Sequence, residues 1–186
     1  LSGLVEIGAW DTRHHITHQK REQSRSPVKQ VLQLLLAQIS QTSITIKETD
    51  ATSTSQAPSA SSFRATAALN DDSYGIVVGT GSTAVDILDY TLVTQILHGS
   101  TSGKLIHNAV VFDADVTVAD PNCTFVMYRN FNNNSGGSII VGETGIYCKA
   151  GAATAGIFLV FRDVPTSITV PDGGGCYVKY TLKITE

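Results

Sequence analysis

Apolar and polar positions alternate over most of the second half of the chain. From Phe63 onward, strand-like runs recur every 8–12 residues or so, the spacing typical of sandwiches and barrels. The pattern predicts strands at 63–69, 74–78, 84–88, 105–112, 116–118, 123–131, 138–141, 145–149, 157–164 and 176–184.

Two of these runs also indicate their surroundings. Ile157–Val164 is apolar on both faces, which predicts a central strand or one covered on each side. The last run alternates cleanly, which predicts an antiparallel strand with one wet face. Its predicted inward residues are Cys176, Val178, Tyr180, Leu182 and Ile184. Between the two predicted strands of the central stretch, Asn132–Gly137 has the residues of a chain reversal.

One segment has helical periodicity instead. Ser26 is suited to cap a helix over 27–40 and Pro27 to begin it. This helix is apolar over most of its circumference, so we expect it to pack on the sheet on one side and on another subunit, or on another part of the arm, on the other. The residues assigned to this assembly interface are Val28, Val31, Leu32, Leu34, Leu35, Leu36 and Ile39.

The pattern divides the chain into three parts. Residues 1–48 form an N-terminal arm with the helix and a short strand, and residues 49–62 form a Ser/Thr-rich linker or loop. Residues 63–186 form an antiparallel β-sandwich, jelly-roll-like in type. The predicted fold is therefore mainly β with one N-terminal α-helix.

Composition excludes several classes of partner. Charged residues make up 16% of the 186 residues and the net charge is −3, so no global field attracts nucleic acid or an anionic membrane. Five of the thirteen Lys and Arg residues precede position 30, which favours a solvated lead-in and leaves a basic arm as the alternative. We predict no membrane segment and no signal peptide.

The three cysteines, Cys123, Cys148 and Cys176, cannot all pair within one chain. Each lies in an apolar run, where a free cysteine serves as a small buried hydrophobe. A disulfide between Cys123 and Cys148 is the alternative. Free thiols agree with synthesis in a reducing compartment.

The search for reactive groups finds none. His14 and His18 could bind a metal on a helix, but no third ligand is evident. The aspartates at 113, 115 and 120 lack the remaining ligands of a calcium loop. Glu143 has no neighbouring carboxylate, and we expect it to bond backbone groups or an arginine, Arg129 or Arg162. We therefore predict no catalytic, cofactor-binding or metal site, no cofactor and no enzymatic activity.

Three segments carry a family resemblance. They are YGIVVGTGSTAVDILDYTLVTQILHG, YRNFNNNSGGSIIVGETGIY and FRDVPTSITVPDGGGCYVKYTLKI, in that order between residues 74 and 184. Together they resemble a set of tailed-bacteriophage virion structural proteins, while the histidine cluster and the three cysteines depart from that set. The resemblance implies a part of the particle and transfers no catalytic residue.

These observations give two hypotheses. The first is a non-enzymatic structural subunit of a tailed phage particle, a capsid decoration or a tail or neck component, made in the host cytoplasm and assembled in the virion as repeated copies. On this hypothesis the N-terminal helix and the basic arm before it anchor the protein to neighbouring subunits. Its partners are other virion proteins and its own copies, with a trimer favoured. The alternative is a tail-fibre-like adsorption module that binds host-surface glycan through exposed aromatics such as Tyr74, Tyr90 or Tyr147, since the single Trp10 lies outside the β-domain.

Overall fold

The computed structural model describes residues 2–24, 27–59, 63–151 and 156–185. The predicted cap, Ser26, and residues 60–62 of the predicted linker lie outside these ranges. Within them the protein is mainly β, with antiparallel strand pairs and one α-helix. The strands are β1 (Ser2–Trp10), β2 (Ile16–Ser24), β3 (Ile44–Lys47), β4 (Ser53–Gln56), β5 (Gly75–Gly79), β6 (Ile106–His107), β7 (Val111–Phe112), β8 (Thr117–Ala119), β9 (Asn122–Asn132), β10 (Ile139–Val141), β11 (Glu143–Ala150), β12 (Gly156–Asp163), β13 (Ile168–Val170) and β14 (Gly175–Thr185). The helix, α1, spans Lys29–Ser40.

The largest sheet has seven strands, in the order β2-β1-β14-β9-β6, with β7 and β8 also paired to β9. A second sheet has the order β12-β11-β5, and two further pairs are β10-β13 and β3-β4. The main core cluster combines residues of the seven-stranded sheet, such as Ile7, Val178 and Met127, with Ile76 and Val160 of the three-stranded sheet. A second cluster lies on the opposite face of the three-stranded sheet and includes Val77, Tyr147 and Leu159.

The three-stranded sheet is thus covered on both faces, because its alternate residues enter different clusters. This confirms the prediction that Ile157–Val164 is covered on each side, although β12 lies at the sheet edge and β11 at its centre. In β14, Cys176, Val178 and Tyr180 are buried as predicted. Leu182 is only half-buried and Ile184 is exposed, because burial decreases towards the end of β14, beyond the core face at Cys176–Tyr180.

Within the predicted N-terminal arm, 1–48, the helix and the short strand are present, but residues 2–24 belong to the sheet and not to an arm. β1 pairs with β14 over nine residues, and β2 returns along β1, so this segment forms one side of the seven-stranded sheet. Val5, Ile7 and Ala9 alternate with less apolar residues and point into the core. The predicted linker is also partly regular, because Ser53–Gln56 pairs with Ile44–Lys47.

The helix begins two residues later than predicted. Pro27 bridges to Phe161 and the Val28 N–H donates to the Val160 carbonyl at 3.1 Å, so the chain is still extended there and adds to β12. The helix then packs on β3 and β12. It has no side-chain N-cap and no acidic residue in its first turn, so packing of its inner face stabilises it.

Two predicted strands are absent. The segment 63–69 is irregular apart from the bridge between Arg64 and Lys149, and 84–88 belongs to a long irregular loop, 80–99. The turn at Gly79-Thr80-Gly81 therefore leads into that loop and not into the second strand of a hairpin.

Candidate assembly interface

The helix α1 has one buried and one exposed side. Gln30, Leu34 and Ala37 are buried beneath it. Its exposed side carries large apolar side chains at i, i+3, i+4 and i+7 spacing, which places them on one face. They are Leu32, Leu35, Leu36 and Ile39.

Two further exposed apolar residues lie beside this face. Ile87 and Leu88, in loop 80–99, line a shallow depression of about 300 Å³ together with Leu32 and Leu36. The Lys29 N–H donates to the Ile87 carbonyl at 3.0 Å, which fixes the loop against the first turn of the helix. We call this surface the outer apolar patch, and its six side chains are 44% to 74% exposed: Leu32, Leu35, Leu36, Ile39, Ile87 and Leu88.

The patch differs from the interface predicted from sequence. Val28 and Leu34 are buried within the chain and Val31 is half-buried, so these three do not belong to the exposed surface. Ile87 and Leu88 were missed. Their signal was an adjacent pair of large apolar residues between Asp86 and Asp89. A half-buried strand places adjacent residues on opposite faces, so it would have a polar residue at one of the two positions.

A buried carboxylate holds the loop that carries Ile87 and Leu88. Glu143, at the start of β11, is fully buried and its oxygens accept three backbone N–H groups of the loop. The donors are Gly81 at 3.1 Å, Val93 at 3.1 Å and Thr94 at 2.8 Å. A methyl group on Gly79 would lie 2.6 Å from Oε1 of Glu143, so the glycine lets the carboxylate approach the backbone.

Arg162, in β12, pairs with this carboxylate as predicted. Its Nε lies 3.0 Å from Oε2 of Glu143, and its Nη1 lies 2.9 Å from Oδ2 of Asp89. Nη2 donates to the Thr83 carbonyl at 3.0 Å. The Arg162 side chain is 1% exposed, so the two ion pairs lie in a poorly solvated environment, where removal of one partner is costly.

Tyr147, in β11, adds a third attachment. Its hydroxyl oxygen accepts the Leu92 N–H at 2.7 Å and lies 2.9 Å from Oγ1 of Thr91. Burial raises the pKa of the Tyr147 hydroxyl, so it stays protonated and can take part in both bonds. We call Glu143, Arg162, Asp89 and Tyr147 the loop latch.

The latch is a structural arrangement. The carboxylate of Glu143 accepts three backbone N–H groups and a guanidinium, so its lone pairs are engaged within the protein. Burial raises the pKa of the Cys148 thiol to about 12 and that of Cys176 still higher, so neither is a thiolate nucleophile at neutral pH. All three cysteines are free.

The other sequence candidates are dispersed. His14 and His18 lie around a β-hairpin and not on a helix, so they do not have the helical i, i+4 spacing that a shared metal would need. Among the residues that the structure describes, no group of three His, Cys, Asp or Glu side chains is placed to hold a metal ion. Tyr74 and Tyr147 are buried and cannot stack on a sugar ring.

Comparisons of the chain with models of protein families, with curated proteins and with solved structures found no match. No helix in the described ranges has the length and apolarity of a membrane span, since α1 has only 12 residues.

Proposed function

We propose that this protein is a non-enzymatic structural subunit that assembles in repeated copies through the outer apolar patch. The observation that carries the proposal is the patch itself. Six large apolar side chains from two elements lie together at the surface, and contiguous exposed apolar surface of this kind marks interaction sites. The closed symmetry that we favour is a trimer, in which each copy contributes the same surface.

We further propose that the chain is an antiparallel β-sandwich of jelly-roll type. The seven-stranded and the three-stranded sheets share one core cluster, which supports two layers packed face to face. Since β1 and β2 belong to the sheet, the proposal assigns the anchoring role to α1 and loop 80–99 and no longer to a basic arm.

The particle that we propose is the virion of a tailed phage, with capsid or tail subunits as partners and synthesis in the host cytoplasm. This step rests on the resemblance of the three sequence segments. Residues of all three meet in the loop latch: Asp89 in the first, Glu143 in the second and Arg162 in the third. Their contact supports reading them as parts of one structural unit, with the latch holding the loop part of the assembly surface, Ile87 and Leu88, in place.

The test is a charge substitution in the patch. We expect Leu32→Asp with Leu36→Asp to convert the assembled protein to monomers in size-exclusion chromatography with light scattering, and to leave the β-sheet circular dichroism unchanged. Both side chains are more than half exposed, so the fold tolerates the charges, whereas an interface does not.

Leu69→Asp is the matched control, because Leu69 is a similarly exposed leucine outside the patch. It should assemble as the wild type does. A wild-type chain that is monomeric at all concentrations, or a double variant that assembles normally, would contradict the proposal.

A further inference from the structure

A second apolar feature is a partly open pocket lined by residues of both sheets. It is a pocket of about 250 Å³, which we call the inter-sheet pocket. Phe125 and Met127 of β9 form one wall, and Ile146 and Val160 of the three-stranded sheet form the opposite wall. Val31 of α1 closes one side and Phe63 another.

The walls determine the chemistry of an occupant. All the side chains that line the pocket are apolar, among the residues that the structure describes, and four of them are phenylalanines. The Cys148 thiol belongs to this lining and is neutral, since burial raises its pKa to about 12. Water needs two or more polar partners to be stable in a cavity, so this pocket favours hydrocarbon.

The volume determines the size of the occupant. A cavity of about 150 Å³ takes up benzene, so by proportion the inter-sheet pocket accommodates a hydrocarbon of about ten carbon atoms. An empty apolar cavity also destabilises a protein in proportion to its volume, so an apolar occupant stabilises this fold.

The exposed surface next to the pocket determines the shape of the occupant. Phe125 pairs with Leu182, and both line the pocket. Two residues further along each strand, and therefore on the same face, Cys123 pairs with Ile184, and Val118 of β8 joins the same row. Val118 is 75% exposed and Ile184 is 65% exposed. An apolar track thus leads from the pocket to the end of the seven-stranded sheet.

We propose that the inter-sheet pocket binds the end of a linear hydrocarbon chain, whose remaining carbons lie along the row formed by Val118, Cys123 and Ile184. A compact aromatic ring would fill the pocket alone. A linear chain also covers the exposed row, so it buries the larger apolar area and is the preferred ligand.

The experiment measures binding of 1-decanol, which fills the pocket, and of 1-tetradecanol, whose further carbons reach the row, to the full chain by isothermal titration calorimetry. Because it also covers the row, tetradecanol should bind more tightly than decanol. The expected result is saturable binding to the wild type and a rise in its unfolding temperature. Val31→Phe and Ala65→Leu enlarge side chains at two different walls and should each weaken decanol binding by about tenfold or more, equivalent to a free-energy change above about 1.4 kcal/mol. Two variants are used so that one that fails to fold leaves the other as the test.

Val93→Phe is the matched control, because Val93 is exposed and does not line the pocket. It should bind decanol as the wild type does. Absence of saturable binding to the wild type, or equal binding by the wild type and both filling variants, overturns the proposal. Naphthalene bound more tightly than decanol overturns the linear shape.

A further experiment distinguishes two sources of the hydrocarbon chain, a membrane lipid and a free small molecule. Co-sedimentation of the wild type with phosphatidylcholine vesicles, lost in Val31→Phe, assigns the site to a lipid tail. Decanol binding without co-sedimentation assigns it to a free small molecule. A wild type that binds no decanol, with oligomers that dissociate on Val31→Phe, assigns the pocket to a side chain of a second copy and overturns the proposal.

Discussion

At the scale of single residues, two of the buried charged side chains, Arg129 and Glu143, bond mainly to the backbone. Arg129 is fully buried and donates to main-chain carbonyls, among them Ile76 at 2.9 Å and Asn108 at 2.6 Å. Burial lowers its pKa to about 10, yet it remains charged at neutral pH. Arg129 thereby joins β9 to β5, with which β9 forms no strand pair, and to the irregular segments before and after β5.

His107 is a second buried titratable residue with a consequence for stability. Its ring lies 4.9 Å from that of Phe131, edge to face, and it is fully buried. Burial, and next the charge of Arg129, lower the pKa of His107 from 6.5 to about 4. Between these pH values the unfolded chain binds a proton that the folded chain does not. The contribution of His107 to stability is therefore full above pH 6.5 and is lost as the pH falls towards 4.

We predict that His107→Gln reduces this acid sensitivity. The free energy of unfolding, measured in urea at pH 7 and at pH 4.5, should fall less on acidification for the variant than for the wild type. The carboxylates Glu6 and Asp71 have pKa values lowered from 4.5 and 3.8, so their contribution to stability begins to be lost only at the acid end of this window, and they are present in both proteins. An equal fall in the two proteins would show that another group causes the acid sensitivity.

Some of these residue contacts could be predicted from sequence. Glu143, without a neighbouring carboxylate and at a predicted strand end, was expected to bond backbone or an arginine, and it does both. The role of Arg129 could not be predicted, since its carbonyl partners come from segments whose positions depend on the fold.

At the scale of elements, the helix was predictable but its buried side was not. Leucines at 32, 34, 35 and 36 make the sequence apolar in nearly every direction, so periodicity alone cannot choose a face. The choice is made by β3 and β12, which cover Leu34 and Ala37 and leave Leu32 and Ile39 outside.

The two sides of α1 should therefore respond differently to the same substitution. Leu34→Ala leaves a cavity under the helix and should lower the free energy of unfolding by about 2–5 kcal/mol. Leu36→Ala, on the exposed side, should change the stability of the monomer by less than about 0.5 kcal/mol. Urea unfolding at a low, fixed protein concentration measures both, and similar losses would contradict the assignment of the buried side.

The strands show the same limit of sequence reasoning. In β1 the alternation of Val5, Ile7 and Ala9 extends over only three positions, and β2 beside it has no such alternation, so the segment lacks a sustained strand pattern. Most residues of β2 are exposed whichever way they point, so its sequence is that of a polar arm although its backbone completes the sheet. Strand pairing across 165 or more residues, the separation of Trp10 from its partner Gly175, leaves no local signal.

At the scale of the whole molecule, the loop latch connects the core to the outer apolar patch. Arg162 belongs to a core strand and Asp89 follows directly after Ile87 and Leu88, so their contact positions the two loop residues of the patch. The proposed assembly surface is therefore rigid only if this contact is intact. Asp89 is partly exposed, so it can be changed with less risk to the core than Glu143 or Arg162.

We predict that Asp89→Asn weakens assembly while the chain stays folded. The substitution removes the negative charge beside the Arg162 guanidinium, and loop 80–99 should become less ordered around Ile87. Binding that requires an ordered loop then includes the cost of ordering it, and we expect the dissociation constant of the oligomer to rise by about tenfold. Sedimentation velocity over a concentration series measures this constant, and circular dichroism verifies the fold. Asp115→Asn is the control, because Asp115 lies in an exposed turn that does not contact the latch. If both substitutions raised the dissociation constant equally, the latch would have no specific role in assembly.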